Sequence, residues 1–267
     1  MLVDTHCHLD FERYEEDRGA VLDRAAEAGV IAIINPAVDL ANSAVVCDLA
    51  AAHPSIFAAV GIHPNSAADF SSEQIARLQA LAGREKVVAV GEIGLDYYRD
   101  YCPVSMQKRA FEAQLALAAE VSLPVIIHNR EAGEDVLAVL RDWVASLNSP
   151  LQDRPGVLHS FSAPLAMAET AIELGFYIGI TGPVTFKKAE ELRRIVAAVP
   201  ADRLLVETDG PFLTPHPYRG RRNEPAYVRY IVERIASVRG VTFDDIALQT
   251  TQNARRLFGL PLDIAAD

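Results

Sequence analysis

The feature that most constrains the fold of this chain is an alternation, repeated eight times, between short apolar runs and longer segments with helical periodicity. Runs such as Val30–Ile34 are apolar throughout, which is typical of strands in a parallel sheet that is covered on both faces. Eight such units predict an α/β protein with a single (β/α)8 TIM barrel, although an open doubly wound sheet would have the same spacing. The predicted strands are Leu2–His6, Val30–Asn35, Phe57–Ile62, Val87–Glu92, Pro124–His128, Gly156–His159, Phe176–Ile180 and Leu204–Glu207.

Helical segments separate these strands and continue beyond the last one. The predicted helices between strands are Arg18–Ala28, Asp39–Ala52, Ser72–Leu81, Val104–Val121, Glu134–Val144, Leu165–Leu174 and Ala189–Val199. After the last strand, Ala226–Val238 and Phe243–Phe258 also have helical periodicity, which predicts an additional C-terminal helix. Because the alternation continues without a break in composition, we expect residues 1–267 to form one domain.

The charge balance limits the partners that the chain can have. Among its 267 residues, 36 are acidic and 25 are basic, so the formal net charge is −11. A protein this acidic is not expected to be held to nucleic acid or to an anionic membrane by bulk electrostatics, although bound metal ions would not enter this sum. No apolar run approaches the roughly 18 residues that a membrane span needs, so we expect no membrane segment.

The cysteines and the amino-terminal residues indicate the compartment. Cys7, Cys47 and Cys102 are widely spaced and form no CxxC pair, as expected in a reducing environment. The first residues include a charge at the fourth position and lack the apolar stretch of a secretory signal. We therefore expect a cytoplasmic protein, and no pattern in the sequence indicates an obligate protein partner.

Histidines and carboxylates concentrate where the predicted strands end. The residues concerned are His6 and His8 after the first strand, His63 after the third, Glu92, His128 and His159 at the ends of the fourth, fifth and sixth, and Asp209 after the eighth. The carboxyl ends of the strands form the face on which barrel enzymes build their active sites. His and carboxylate side chains converging there are typical of a site for a first-row metal ion. His6 and His8 are two residues apart on an extended segment, so they can bind the same ion.

Each of these residues has another interpretation when it is taken alone. His128 could be a hydrogen-bonded core histidine, and Asp209 could cap a following turn. Glu92 is harder to explain, because a carboxylate at the end of an apolar strand is costly to bury without a cation or several donors. Six residues at equivalent strand ends favour the joint interpretation as a metal site. For His63 we favour a role in supporting the ligands or binding substrate over direct ligation.

The motifs around these residues occur in a specific order along the chain. They are Asp4-Thr-His-Cys-His8, Gly61-Ile-His-Pro64, Gly91-Glu-Ile-Gly-Leu-Asp96, Ile127-His-Asn-Arg130, His159-Ser-Phe161, Glu207-Thr-Asp209 and Arg219-Gly-Arg-Arg-Asn-Glu-Pro225. In this order they resemble the TatD family of metal-dependent deoxyribonucleases, which belongs to the amidohydrolase-type barrels. The chain departs from the family pattern at Ala163, where glycine is frequent, and at Gly210, where a small Ser or Ala is usual. Neither departure removes a predicted ligand.

The resemblance implies a two-metal site and a nuclease activity. His6, His8, Glu92 and Asp209 would bind one divalent ion, and Glu92, His128 and His159 would bind a second, with Glu92 bridging the two. The expected enzyme is a metal-dependent hydrolase that cleaves phosphodiester bonds of DNA as a 3′-5′ exodeoxyribonuclease, using a water activated by two ions of Mg, Mn or Zn. Glu92 and Asp209 are the predicted catalytic residues, and Asp209 would orient the water and take its proton.

Several residues near this face are candidates for binding a DNA or oligonucleotide substrate locally at the metal site. They are His63, Arg130, Tyr97, Tyr98, Arg219, Arg221 and Arg222. A guanidinium suits bidentate binding of a phosphate, so Arg130 is expected to hold a phosphate oxygen, with a surface salt bridge as the alternative. The tyrosines either stack on bases or pack at the rim. The arginine loop either carries the phosphate backbone or is merely solvated.

The alternative function on the same barrel is a lactonase- or amidase-type metallohydrolase that acts on a small substrate. Many such sites bridge their metals with a carboxylated lysine on the fourth strand. Here the fourth strand offers Glu92, and none of the four lysines stands at a ligand position. A noncatalytic metal-binding protein is disfavoured, because the predicted ligand set is complete and includes an acidic candidate base.

Overall fold

Residues 1–262 are described by the computed structural model, and they surround one sheet of eight parallel strands that follow each other in chain order. The first and last strands adjoin, because the Thr5 N–H donates to the Val206 carbonyl at 3.2 Å and Cys7 forms a parallel bridge with Gly210. The predicted TIM barrel is therefore confirmed, and the open doubly wound sheet was the wrong alternative. The strands are β1 Leu2–Asp4, β2 Val30–Pro36, β3 Ile56–Val60, β4 Val87–Asp96, β5 Val125–Arg130, β6 Gly156–Leu158, β7 Tyr177–Ile180 and β8 Leu204–Val206.

Helices cover the outside of this sheet, and an extra one follows them, as predicted. They are α1 Arg18–Glu27, α2 Leu40–Ala52, α3 Ser72–Ala82, α4 Val104–Val121, α5 Gly133–Ala145, α6 Leu165–Glu173, α7 Glu190–Ala198, α8 Val228–Arg239 and α9 Phe243–Phe258. A capping box starts α9: the Asp245 N–H donates to Thr242 Oγ1 at 3.1 Å, and the Thr242 N–H donates to Asp245 Oδ2 at 2.9 Å. Residues 263–267, which the predicted single domain includes, lie outside the described residues, and the single-domain organisation stays a prediction.

The interior of the barrel is apolar at the end where the strands begin. Inward-facing side chains from the strands meet the end of α9 there, and we call this group the amino-end plug. Its members are Val3, Ala32, Ile34, Phe57, Ala59, Val88, Ala89, Ile126, Val157, Tyr177 and Leu205 from the strands, with Ala254, Leu257, Phe258 and Leu260 from the end of α9 and the residues after it. Asn253 anchors α9 in this position by donating to the Leu204 carbonyl at 2.8 Å. The C-terminal helix therefore closes the amino end of the barrel.

Two differences from the predicted strands bear on function. β1 ends at Asp4, so His6 and His8 lie in the connection that follows it rather than in the sheet. β4 continues four residues beyond Glu92 and carries Asp96 at its end. Within residues 1–262, no helix has the length and apolar character needed to cross a membrane. The three cysteines are buried free thiols, while the cytoplasmic location stays a prediction.

Candidate metal centre

The strands place titratable side chains directly above the amino-end plug. On β5, His128 lies two residues after the plug residue Ile126. His159 directly follows β6 and lies two residues after the plug residue Val157. Because side chains alternate along an extended strand, both histidines also face the interior. Glu207 stands in the same relation to the plug residue Leu205 on β8. The carboxyl end of the barrel interior is therefore filled by imidazoles and carboxylates instead of apolar groups.

The segment after β1 brings His6 and His8 together, as their spacing predicts. The Cys7 N–H donates to the Ile34 carbonyl at 3.0 Å, and the His8 N–H donates to the Gly210 carbonyl at 2.8 Å. These bonds hold the segment between β2 and the end of β8. His6 Nε2 then lies 3.2 Å from His8 Nε2. The two imidazoles can offer lone pairs to a single ion.

Glu92 stands between two groups of histidines. Its Oε2 atom lies 3.4 Å from His6 Nε2 and 3.8 Å from His8 Nε2. Its Oε1 atom lies 2.7 Å from His128 Nδ1 and 3.9 Å from His159 Nε2. Burial alone would raise the pKa of Glu92, but the surrounding imidazoles hold that pKa well below its usual value. The carboxylate is thus ionised and presents one oxygen to each histidine group.

Asp209 approaches the same centre from the loop after β8. Its Oδ1 atom lies 3.9 Å from His6 Nε2, 3.8 Å from His8 Nε2 and 3.9 Å from His159 Nε2. The backbone of Asp209 has φ of +55°, which is unusual for a residue with a side chain, and its N–H donates to the His6 carbonyl at 2.8 Å. Its side chain is 15% exposed against 5% for Glu92. Burial raises the pKa of Asp209 to about 6.

The surroundings of His6 and His8 indicate which ring nitrogens can offer lone pairs to an ion. His8 Nδ1 lies 3.2 Å from the Pro36 carbonyl, which can only accept, so Nδ1 carries the proton and Nε2 keeps its lone pair. Burial lowers the pKa of His6 to about 3, so this imidazole is neutral, and its Nδ1 is buried without a hydrogen-bond partner among the described residues. Neutral imidazoles with oriented lone pairs are typical metal ligands.

His63 lies beside this group but differs from its neighbours. The Asn65 N–H donates to His63 Nδ1 at 3.1 Å, so the neutral ring carries its proton on Nε2. Burial lowers the pKa of His63 to about 3, which keeps the ring neutral. His63 Nε2 faces Glu92 Oε1 at 3.6 Å and presents a proton instead of a lone pair. This geometry favours the predicted supporting or substrate-binding role over ligation.

Two carboxylates that the sequence analysis assigned no role lie behind the histidines. His128 Nε2 lies 3.2 Å from Asp96 Oδ2, and His159 Nδ1 lies 2.9 Å from Glu207 Oε1, the second pair being close but poorly aligned for a hydrogen bond. Burial would lower both histidine pKa values, but Asp96 and Glu92 raise that of His128 to about 9, and Glu207 raises that of His159 to about 10. Carboxylates in this position orient metal-bound histidines in many proteins. A signal was present in the sequence, since Asp96 ends one of the family-like motifs and Glu207 begins another.

Glycine makes room for one of these carboxylates. An atom added as Cβ at Gly179, which lies on β7 two residues after the plug residue Tyr177, would be 2.5 Å from Glu207 Oε1. The departure from the family pattern at Gly210 has a similar cause. A Cβ there would lie 2.6 Å from the Tyr14 hydroxyl and 2.8 Å from Cys7 Sγ. Both positions exclude larger residues because of close approach by buried neighbours.

Asp4 is a further buried carboxylate that supports the centre from below. Its two oxygens accept hydrogen bonds from the Thr208 N–H at 2.8 Å and the Thr208 hydroxyl at 2.6 Å. Burial raises the pKa of Asp4 to about 8. These contacts tie β1 to the residue before Asp209. The first carboxylate of the Asp4-Thr-His-Cys-His8 motif therefore positions the β8 loop.

The residues around the centre fit divalent metal ions by their own chemistry. The structure gathers five histidines with Glu92, Glu207 and Asp209, and the separations given above lie between 2.7 and 3.9 Å. Such a cluster of buried charges is costly without compensating cations. Three groups that could hold an ion contain the predicted ligands between them: His6, His8 and Asp209; His6, His159 and Glu207; and His63, Glu92 and His128. The predicted ligands therefore all lie at this centre.

The predicted substrate-binding residues at the ends of β4 and β5 differ in exposure. Tyr97 donates its hydroxyl to Asp135 and packs against the core, so it belongs to the rim. Tyr98 is 53% exposed, and the Arg130 guanidinium lies over its ring, 4.3 Å from the centroid. Arg130 is itself exposed. Tyr98 and Arg130 thus remain accessible at the end of the strands that carry Glu92 and His128.

The three arginines of the β8 loop are not equivalent. Arg222 makes a bidentate ion pair with Asp17, with both N···O distances at 2.7 Å. Arg219 is exposed and lies over the Phe186 ring at 4.3 Å, and Arg221 is exposed near Tyr218. The structure argues against the predicted substrate contact for Arg222, because its guanidinium fastens the loop to the segment before α1. Arg219 and Arg221 keep accessible guanidinium groups.

Comparisons with known proteins point to one family. A family model described as TatD related DNase matches residues 3–259. The uncharacterized metal-dependent hydrolase YabD of Bacillus subtilis is 44% identical over 258 residues, covering 97% of this chain and 99% of that protein. The 3'-5' ssDNA/RNA exonuclease TatD of Erwinia amylovora is 40% identical over 265 residues, covering 97% of this chain and all of that protein. The crystal structure of YJJV, a TatD homologue from Escherichia coli K12, superposes with a TM-score of 0.90 at 35% identity, covering 97% and 98% of the two chains.

Proposed function

The chain belongs to the family of TatD-related DNases, and on that premise we propose that it is a 3′-5′ exonuclease acting on single-stranded DNA or RNA. It is a metal-dependent hydrolase that acts on ester bonds, as its relatives are. The single observation that carries the finer proposal is the placement of Glu92, whose Oε2 atom lies near His6 and whose Oε1 atom lies near His128. A bridging carboxylate between two ion sites suits phosphodiester chemistry, in which both the attacking and the leaving oxygen need stabilisation.

The residues that would hold two divalent ions follow from these contacts. His6, His8 and Asp209 would share one ion with Glu92 Oε2, and His128 and His159 would share the second with Glu92 Oε1. Mg, Mn or Zn fits this mixed set of imidazoles and carboxylates. When bound, two divalent ions lower the pKa of a water and offset the charge that develops on the phosphate oxygens.

The chain's own residues account for the proton transfer. The attacking water gives a proton to Asp209, whose side chain is the more exposed of the two predicted catalytic carboxylates. The water oxygen bonds to phosphorus, and the bond between phosphorus and the 3′ oxygen of the strand breaks. The released 3′ oxygen takes up the proton that Asp209 received, which restores the carboxylate. The products are a nucleoside 5′-monophosphate and a strand that is one residue shorter with a free 3′ hydroxyl.

Recognition of the substrate is proposed to be local. Glu92 and Asp209 contribute to the net charge of −11, and two bound ions would offset four negative charges at this point of the surface. Arg130, two residues after His128 on β5, would bind the phosphate bidentately. Arg219 and Arg221 supply further positive charge on the β8 loop. An acidic protein can therefore bind the end of a polyanion without coating its length.

The proposal is tested by digestion of end-labelled strands after the protein has been stripped of metal and reloaded with one divalent ion at a time. Single- and double-stranded DNA and RNA are compared, with Glu92→Gln as the control for contaminating nucleases. A ladder that shortens from the 3′ end, fastest on single strands, is expected. Inertness toward all strands, together with turnover of a lactone or amide, would replace the proposal by the small-substrate hydrolase.

A further inference from the structure

A groove opens beside the candidate metal centre at the carboxyl ends of β5, β6 and β7. Its volume is about 920 Å³, within the range of pockets that bind small molecules. The lining is mostly apolar and comes from the loops and first turns that follow these strands and β8. The main apolar residues are Leu137, Phe161, Met167, Pro183, Leu192 and Leu213. The departure from the family pattern at Ala163 also lies in this lining.

The groove lies beside the centre, since Ser160, one of its lining residues, donates its N–H to Glu207 Oε1. Asn129 and Ser160 line it, and each directly follows one of the histidines, His128 and His159, that face Glu92 Oε1. Arg130, the proposed phosphate ligand, lines the same groove. A group attached to a phosphate that Arg130 binds can therefore extend into the groove.

The polar groups of the groove suit a neutral hydrogen-bond donor better than a second phosphate. Asn129 Oδ1 is buried without a hydrogen-bond partner, while its Nδ2 atom lies 3.6 Å from Met167 Sδ. The carboxylates of Glu131 and Glu134 line the groove beyond Arg130 and would repel an anion. The oxygens of Asn129, Glu131 and Glu134 thus lie next to apolar walls. Arg130 is the cation among the lining residues.

We propose that this groove binds the base of the terminal nucleotide while its phosphate is held at the metal centre. The inference rests on the proposed exonuclease activity and adds to it a site for the nucleobase. A base is flat, apolar on its faces and carries ring or amino N–H donors at its edge, which matches the walls and the unpartnered Asn129 oxygen. The 5′-phosphate of the released nucleotide lies at the Arg130 side. A strand whose end is paired in a duplex cannot place its base there without unpairing.

Calorimetric binding in the presence of Mg²⁺ isolates the contribution of the base. Deoxycytidine 5′-monophosphate and 2-deoxyribose 5-phosphate share sugar and phosphate and differ by the base alone. The nucleotide is expected to bind about tenfold more tightly, the effect of roughly 1.4 kcal/mol that a moderate stacking contact gives. Equal affinities would overturn the groove as a base site.

A blocking variant locates this difference in the groove. Ala166 is an exposed residue of α6 that lines the groove, so Ala166→Trp adds bulk there without disturbing the core. Ala80→Trp on the exposed face of α3 is the matched control. Ala166→Trp is expected to remove the advantage of the nucleotide over the sugar phosphate, and Ala80→Trp to keep it. An unchanged advantage in Ala166→Trp would contradict the proposal.

Asn129→Leu separates recognition from packing. The substitution removes a buried oxygen without a partner, so it should leave the melting temperature unchanged or raise it. Affinity for the nucleotide should fall severalfold, while affinity for the sugar phosphate should not change. A lower melting temperature with unaltered nucleotide binding would make Asn129 structural. Base-dependent binding in a protein that cuts no strand would refute the exonuclease but not the groove, whereas strand cutting without base-dependent binding would refute the groove alone.

Discussion

The two ends of the barrel interior are built by the same strands and differ completely in chemistry. On β5, Ile126 lies in the amino-end plug and His128 lies in the candidate metal centre, two residues further along. On β8, Leu205 lies in the plug, and Glu207, which directly follows the strand, lies in the centre. The plug is closed by α9, whereas the centre opens to the loops. One register of alternating side chains therefore provides a stabilising layer and a reactive layer about 6–7 Å apart along each strand.

The energetics of the two layers are opposite. Each valine, leucine, isoleucine or phenylalanine side chain buried in the plug contributes roughly 1.5–3 kcal/mol to the free energy of unfolding. The carboxylates and imidazoles of the centre must be taken out of water, which costs several kcal/mol per ion unless a counter-charge is close. Glu92, Glu207 and Asp209 are all buried to a large extent. We infer that burial of the apolar layer offsets the free-energy cost of burying the charged groups of the centre. Bound cations would lower that cost.

The largest expected effect is that of Glu92→Gln at the carboxyl end. Loss of the charge between the two histidine groups should lower turnover by at least about 10³-fold, beyond the 10- to 100-fold typical of residues that only orient ligands. The metal-free variant should unfold at a lower temperature than the parent, because the lowered pKa of Glu92 means that its charge is favourably paired with the surrounding imidazoles in the folded state. Metal analysis and steady-state kinetics check this. A variant that keeps two ions and normal turnover would show that the Glu92 carboxylate does not bridge the ions.

Asp209→Asn should lower the rate of the chemical step more than the affinity for the strand. A general base typically contributes 10²- to 10⁴-fold to the rate, and the amide cannot accept the proton. Because Asp209 also faces three histidines, metal content must be measured in parallel. Single-turnover rates at saturating substrate and metal are expected to fall while strand affinity is kept. Full single-turnover activity would show that the water loses its proton to another group.

Leu205→Ala tests the opposite end of β8. Removal of a fully buried leucine from the plug should lower the free energy of unfolding by about 2–5 kcal/mol. Turnover per folded molecule should stay the same, since the centre above is held by other strands as well. Urea denaturation and kinetics on the same sample give both values, and Val241→Ala, which truncates a residue that is 44% exposed, is the control. A matching loss of turnover would show that the two layers are coupled.

The smallest effects are expected on the β8 loop, outside both layers. Arg219→Ala with Arg221→Ala should weaken strand binding and reduce the slope of its salt dependence by about 1–2. Arg222→Ala should instead lower the free energy of unfolding by no more than about 1 kcal/mol, because its pair with Asp17 is partly exposed. Binding measured between low and moderate salt, with melting curves, separates the two roles. An unchanged slope in the double variant would assign the whole loop to structure.

The comparison of the two layers also shows what the sequence can reveal. Apolar strands at regular intervals predict the barrel, and histidines at strand ends predict the ligands, because both signals are local. Asp96 and Glu207 were not assigned roles, since their contacts with His128 and His159 join residues 32 and 48 positions apart. The pairing of Arg222 with Asp17, across 205 positions, has no local signal at all. The role of His63 is the hardest to predict from the sequence, because the position of its ring proton depends on a single hydrogen bond from the Asn65 N–H.

The most direct test of the central claim is the anomalous difference map of crystals grown with Mn²⁺. The account predicts two peaks, one beside each carboxylate oxygen of Glu92, the first near His6 and His8 and the second near His128 and His159. Both peaks should be weak or absent in Glu92→Gln crystals. A single peak that does not touch Glu92, or two that persist without its carboxylate, would contradict the bridged centre.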